Sequence, residues 1–257
     1  EKLSEIAHNI LEVLIIAKRD ITVAELIYYM DKSVEHYKDI SFAINELAKC
    51  NFIDDSIFRT KERLSITVFA KEYLTILQFS NSSVVEMFKQ KDMQLQTFLQ
   101  KQIQAMAEKP YAMKTFSICN ERKDELVVAY WLYEAVDAFE KRNEQIANIK
   151  LELAKRILPD YFECYKVAAY LCGVNSIEKG KEEYEIAENC CENQQRERLY
   201  IYYAAFLLRT NDYHGSLEKL KIAATYSVEP NFYIFSEQAK LYACINRFSE
   251  AYEILDR

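Results

Sequence analysis

The sequence is poor in the residues that end elements. Only three Gly and three Pro occur in 257 positions, far below the ~7% and ~5% of an average chain. Sheets and long loops draw on both types at their turns, whereas stacked helices need few. Three His, His8, His36 and His214, with no Cys-x-x-Cys pair, leave little from which to assemble a metal site. No apolar run reaches the ~18–20 residues that cross a bilayer, and no signal-peptide pattern is seen, so the expectation is a cytoplasmic chain with no membrane partner. A basic excess is also missing: 33 Lys and Arg face 40 Asp and Glu, a net charge of −7. Phosphate neutralisation supplies most of the affinity of a nucleic-acid binder, so this balance argues against such a partner. The seven Cys, at 50, 119, 164, 172, 190, 191 and 244, are odd in number and irregular in spacing. They read as reduced thiols.

What is present points to helices. Half of the residues are apolar, enough for a sizeable core, and 257 residues suffice for two domains. Over residues 1–80, Ile6, Ile10, Val13, Leu14 and Ala17 recur at helical spacing. Thr22, with Glu25 three positions on, has the spacing of a capping box. Ile40, Ala43, Ile44 and Leu47 mark a third helix closed by Asn51. Phe52–Ile53 and the alternating run Leu64–Phe69 read as two strands of a hairpin, with Arg59, Lys61 and Arg63 at its tip. This order resembles a winged helix. Its charge does not suit DNA: residues 1–80 hold ten Lys/Arg and thirteen Asp/Glu, and the third helix carries Glu35, Asp39 and Glu46 against Lys38 and Lys49. Arg59, Lys61 and Arg63 remain the candidate DNA or docking wing.

Residues 81–122 form a connector: a long helix to about Glu108, stopped by Lys109–Pro110, then a loop or hinge over 110–122. From residue 123 to 257 a pattern repeats. Small residues stand at 147, 180, 216 and 251, in steps of 33, 36 and 35. Around them fall Trp131, Ala135, Leu151, Ala154 and Pro159, then Ala168, Leu171, Tyr184 and Ala187. Tyr200, Ala204, Leu207, Leu220, Ala223 and Pro230 follow, then Phe235, Ala239, Tyr242 and Leu255. Helices cross closely only where side chains are small, and large residues of the next hairpin fill the grooves beside them. The turns Asn211–Asp212–Tyr213 and Asn246–Arg247–Phe248 recur in register. About four hairpins of ~34 residues resemble the tetratricopeptide repeat, although Glu134 stands where its Leu is usual. The fold class expected is therefore mainly all-α: a winged-helix-like domain followed by a tetratricopeptide-like α-solenoid.

No reactive constellation emerges. The only Gly–Lys pair, Gly180–Lys181, has no phosphate-loop context and precedes Glu182. Cys164 and Cys172, eight apart on one helix face, read as buried structural thiols. No catalytic residue, metal ligand or cofactor is assigned, and the chain reads as non-enzymatic.

The repeat resemblance implies a concave face lined by the first helix of each hairpin. Repeat positions 2, 5, 6, 9 and 13 would place Phe162, Tyr165, Lys166, Arg198, Tyr202, Arg209, Tyr233 and Lys240 in a partner-binding groove. Tyr, Arg and Phe dominate binding hot spots, and the bases would suit a protein partner's acidic or C-terminal segment. A winged helix followed by such repeats resembles the C-terminal half of STAND-type signalling NTPases, a group that includes bacterial transcription activators and antiphage sensors. Residues Leu64 to Leu74 are similar to the end of their winged helix. The resemblance implies an NTPase core ahead of this chain, through which it would oligomerise, and repeats that recognise a ligand or partner. A helix starting almost at Glu1 and a last hairpin ending at Arg257 without a polar cap fit part of a longer protein. The alternative expectation is a transcription regulator, its winged helix on DNA and its repeats sensing a signal.

Overall fold

The computed structural model describes residues 3–30, 37–54, 63–68, 70–72, 82–108, 111, 118, 125–173 and 175–256. It is mostly helical, with a few short strands. The chain divides into two compact units, residues 1–101 with 120–130, and residues 102–119 with 131–257. This division cuts through the long connector helix rather than around it.

In the first unit, α1 (Glu5–Ala17) begins where the Ser4 hydroxyl accepts the Ala7 amide. The strand β1 (Ile21–Thr22) runs directly into α2 (Val23–Tyr29). Thr22 and Glu25 form a reciprocal capping box there, which satisfies two helix-end N–H groups. After α3 (Tyr37–Lys49) the chain reverses through Asn51 at φ 58°, and the Phe52 amide returns to the Leu47 carbonyl at 2.9 Å. The expected strand over 64–69 is shorter than its β-branched pattern suggests. β2 (Arg63–Leu64) pairs antiparallel with β1, and Ile66 bridges Ile53. The Thr67 hydroxyl then accepts the Ala70 N–H and its carbonyl accepts that of Lys71, so a helical turn begins at Val68. A side chain able to cap overrode strand propensity. The role of Ile21–Thr22 as a strand had no alternation to announce it.

The long helix α4 (Ser82–Glu108) packs on α2. Tyr28 donates to the Lys91 carbonyl at 3.1 Å, Tyr29 donates to Asp92 at 2.9 Å, and the Tyr29 ring lies 4.3 Å from that of Phe88. Of the hinge expected over 110–122, only Tyr111 and Ile118 are among the described residues.

The hairpins follow as α5 (Glu125–Glu140) and α6 (Glu144–Ile157), α7 (Phe162–Cys172) and α8 (Ile177–Cys190), α9 (Arg196–Arg209) and α10 (Tyr213–Tyr226), α11 (Phe232–Cys244) and α12 (Phe248–Leu255). Three turns share one geometry. Arg142, Asn211 and Asn246 have φ of 62°, 62° and 63°. The next residue's amide, at Asn143, Asp212 and Arg247, returns to the carbonyl five positions earlier at 2.8, 2.9 and 2.8 Å. This is the left-handed helix stop that Asn tolerates.

The recurrent small residues lie where consecutive helices cross. Ala135, Ala147, Ala168, Gly180, Ala204, Ser216, Ala239 and Ala251 are all buried. The Ser216 hydroxyl donates to the Ala204 carbonyl at 2.8 Å, joining α10 to α9. Large rings fill the adjoining space: Phe162, Tyr184, Tyr202, Tyr203 and Phe206 form one cluster with Leu199 and Leu207.

Candidate functional site

The eight groove residues occupy α7, α9 and α11, but they divide into an interior set and a surface set. Phe162 and Tyr202 are almost fully buried in one core cluster. Lys166 is also buried. Its ammonium pairs with Glu163 one turn earlier, and it sits 4.0 Å from the Tyr202 ring centroid. Glu163 has 0% exposure. Arg198 approaches the same carboxylate at 3.9 Å and donates to the Tyr202 hydroxyl at 3.1 Å. Lys166, Arg198 and Tyr202 are thus brought together around a buried acid.

That arrangement corrects the expectation that Lys166 and Arg198 stand open to meet a partner's carboxylate. Taking charge out of water is costly unless it is paired, and Glu163 supplies the pairing from within the chain. The sequence offered only an acid and a base three apart, a spacing usual on solvated helix faces.

The surface set lies apart. Tyr165 is half-buried, with its hydroxyl on the Pro159 carbonyl at 2.7 Å and the Lys155 ammonium 5.0 Å from its ring. Arg209, at the end of α9, is exposed and lies 5.2 Å from the Tyr170 ring. Lys240 is exposed and pairs with Glu237 at 2.6 Å. Tyr233, at the start of α11, stacks on Tyr111 with ring centroids 4.8 Å apart.

Tyr111 and Met106 belong to the site although the repeat pattern does not include them. The Arg198 guanidinium donates to the Met106 sulfur at 3.1 Å. The Tyr111 hydroxyl accepts from the Asn231 amide at 2.7 Å and donates to Glu197 at 3.4 Å. Asn231 is also the N-cap of α11, accepting the Tyr233 N–H at 3.0 Å. Nothing in the local spelling of 102–111 announces this seat, because it depends on where the connector passes.

Burial raises the pKa of Tyr111 and Tyr233, and pushes Tyr203 up to about 12. These hydroxyls therefore stay protonated donors at neutral pH. Burial also pushes the Cys164 thiol far up, which suits an inert core thiol. Among the described residues no group of three or more His, Cys, Asp or Glu is placed to hold a metal ion, and no helix is long and apolar enough to cross a membrane.

Of the wing residues, Arg59 and Lys61 lie outside the described residues, while Arg63 stands in β2 opposite Thr22 and is half-buried. On α3, Glu46 is turned to Ser4, whose amide and hydroxyl donate to it at 2.9 and 2.6 Å. The exposed face of α3 carries Lys38, Asp39, Ser41, Phe42, Asn45 and Lys49.

No protein-family model, curated protein or solved structure matches the chain.

Proposed function

We propose that the chain is a non-catalytic protein-interaction module. A winged-helix-like domain precedes tetratricopeptide-like hairpins that take up a segment of a partner protein. The resemblance to STAND-type proteins further suggests the regulatory part of a larger cytoplasmic signalling or antiphage-defence NTPase, which would oligomerise through an N-terminal part ahead of these residues. The observation that carries the binding role is that α9 and α11 already hold a stretch of polypeptide by its side chains, Met106 on Arg198 and Tyr111 on Asn231 and Tyr233. The repeated turns and small crossing residues support the repeat assignment.

A photo-cross-linking amino acid placed at Tyr233 or Arg209 in the native cell tests the role. A discrete protein adduct is expected at both positions and not at Ile149, which is exposed on α6. No adduct at either, or equal labelling at Ile149, would overturn the reading.

One observation favours a second reading, a DNA-binding regulator. With Glu46 engaged by Ser4, the described residues of the open face of α3 offer Lys38, Ser41, Asn45 and Lys49 against one carboxylate, Asp39. Such donors suit phosphates and base edges. Binding of a random duplex at low salt that is lost on Lys38→Glu with Lys49→Glu would support it. No retention on a filter at low salt would end it.

A further inference from the structure

We infer that the α11–α12 hairpin carries a seat for one helix of a partner protein, a helix with an apolar stripe and a basic N-terminal end. The inference goes beyond the groove reading and uses none of the groove residues.

The seat is legible by register. Ala251 on α12 stands thirty-five positions after Ser216 on α10, and both are small, buried crossing residues. In the same register Phe248, Tyr252 and Leu255 repeat Tyr213, Leu217 and Leu220. On α10 these positions are covered. Leu217 and Leu220 are 4% and 3% exposed, in one core with Ile234, Leu241 and Tyr242 of α11, and Tyr213 packs against that core. On α12 the same positions are open: Phe248, Tyr252 and Leu255 are 56%, 70% and 63% exposed. Phe232 on α11, also exposed, repeats Glu197, which accepts from Asn231 at the head of α11. That position too is one that meets the next element. Isolated exposed apolar residues are ordinary, but these repeat a covered set position by position.

The covered set shows what such a face takes. Its cover is a helix that presents Ile234, Leu241 and Tyr242 from one side of α11, joined to α10 by the short connection 227–231 and so antiparallel to it. An occupant of α12 in the same pose has its N-terminal end beside the C-terminal end of α12. There Glu253 and Asp256 are exposed and, among the described residues, their carboxylates have no ion pair. The carbonyl end of α12 carries the same sign. Basic residues at the start of the occupant complement both. A second copy of this chain would bring the same acidic end and gain nothing from charge.

The probe is a fluorescent peptide copying residues 231–245, held helical by a hydrocarbon staple between positions 233 and 237 and preceded by three Lys. It is titrated into the full chain by anisotropy. Saturable binding is expected. Tyr252→Ala with Leu255→Ala should weaken it about tenfold or more and leave the melt unchanged, since both side chains are exposed. A probe preceded by three Glu should bind several-fold more weakly, and the difference should vanish in a chain carrying Glu253→Lys and Asp256→Lys. No binding, or equal binding to the Tyr252 and Leu255 variant, overturns the seat. Equal affinity for the two probes in the unaltered chain overturns the basic partner. Self-association in sedimentation that is lost with Tyr252→Ala and Leu255→Ala would also overturn the inference, by making a second copy the occupant.

Discussion

The Phe206 ring closes on Gly180: a Cβ built on this glycine would lie 2.4 Å from Phe206 Cζ. Gly180 has no positive φ, so it is required for space and not for backbone freedom. The ring cannot easily yield, because Tyr184 and Tyr203 lie 5.4 and 6.4 Å from it by ring centroids. Gly180→Ala gains roughly 0.5–1 kcal/mol of helix propensity but overpacks the crossing by about 1–3 kcal/mol. Net destabilisation is expected in urea melts, and Phe206→Leu combined with it should recover part of the loss. A melt that moves upward with Gly180→Ala alone would show that α8 and α9 do not cross as described.

Glu163 is expected to behave as a buried hub. Glu163→Ala takes from Lys166 and Arg198 the acid they share in the interior and should cost about 3–5 kcal/mol, whereas Glu163→Leu with Lys166→Met removes acid and base together and should cost much less. The check is a double-mutant cycle by chemical denaturation. Additive losses would mean that the pair is solvated.

The hairpin core gives a complementary pair. Trp131 is 2% exposed, and Trp131→Ala should cost roughly 3–5 kcal/mol. Ala204→Leu should also destabilise, by about 1–3 kcal/mol, because Ala204 is buried under the Ser216 hydroxyl bonded to its carbonyl. If thermal melts of both match the parent, the repeats pack in a different register.

Stability at acid pH should depend on Glu46. Hydrogen bonds from the Ser4 hydroxyl and amide hold its carboxyl below the usual 4.5. A depressed folded pKa contributes stability that is complete above the unfolded value and lost as pH falls through the folded one. Glu46→Gln should therefore flatten the acid limb of a stability–pH curve below about pH 4.5. An identical limb in the variant would assign it to other carboxylates.

Thiol reactivity should follow burial. Cys244 is exposed and Cys164 is buried, with its pKa pushed up by that burial. At pH 8, iodoacetamide should modify Cys244 in the folded chain and reach Cys164 only after unfolding. Mass spectrometry of peptides from both states reads this directly, and early labelling of Cys164 would contradict the core placement.

Much of the local structure is legible in the spelling. Thr22 with Glu25, Asn51, Asn211 and Asn246 announce helix ends because caps and left-handed stops depend on only a few neighbouring residues. The small residues from Ala135 to Ala251 announce helix crossings because close approach excludes bulk wherever it occurs. Even so, Leu64–Phe69 spells one strand, since β propensity alone does not weigh the Thr67 hydroxyl as a cap.

The sequence by itself determined an acidic, helical chain of short hairpins, through few Gly and Pro, apolar spacing and a recurring small residue. These are local or periodic properties, and each residue carries its part wherever the chain goes. Only the tertiary structure decided which groove residues remain available. The repeat resemblance implies that Lys166, Arg198 and Tyr202 stand on a face open to a partner. Burial of Glu163 draws their charges inward, Met106 meets Arg198 and Tyr111 stacks on Tyr233, while Arg209 and Lys240 stay exposed. These placements depend on contacts between residues distant in the chain, whose electrostatic and desolvation energies no local pattern encodes.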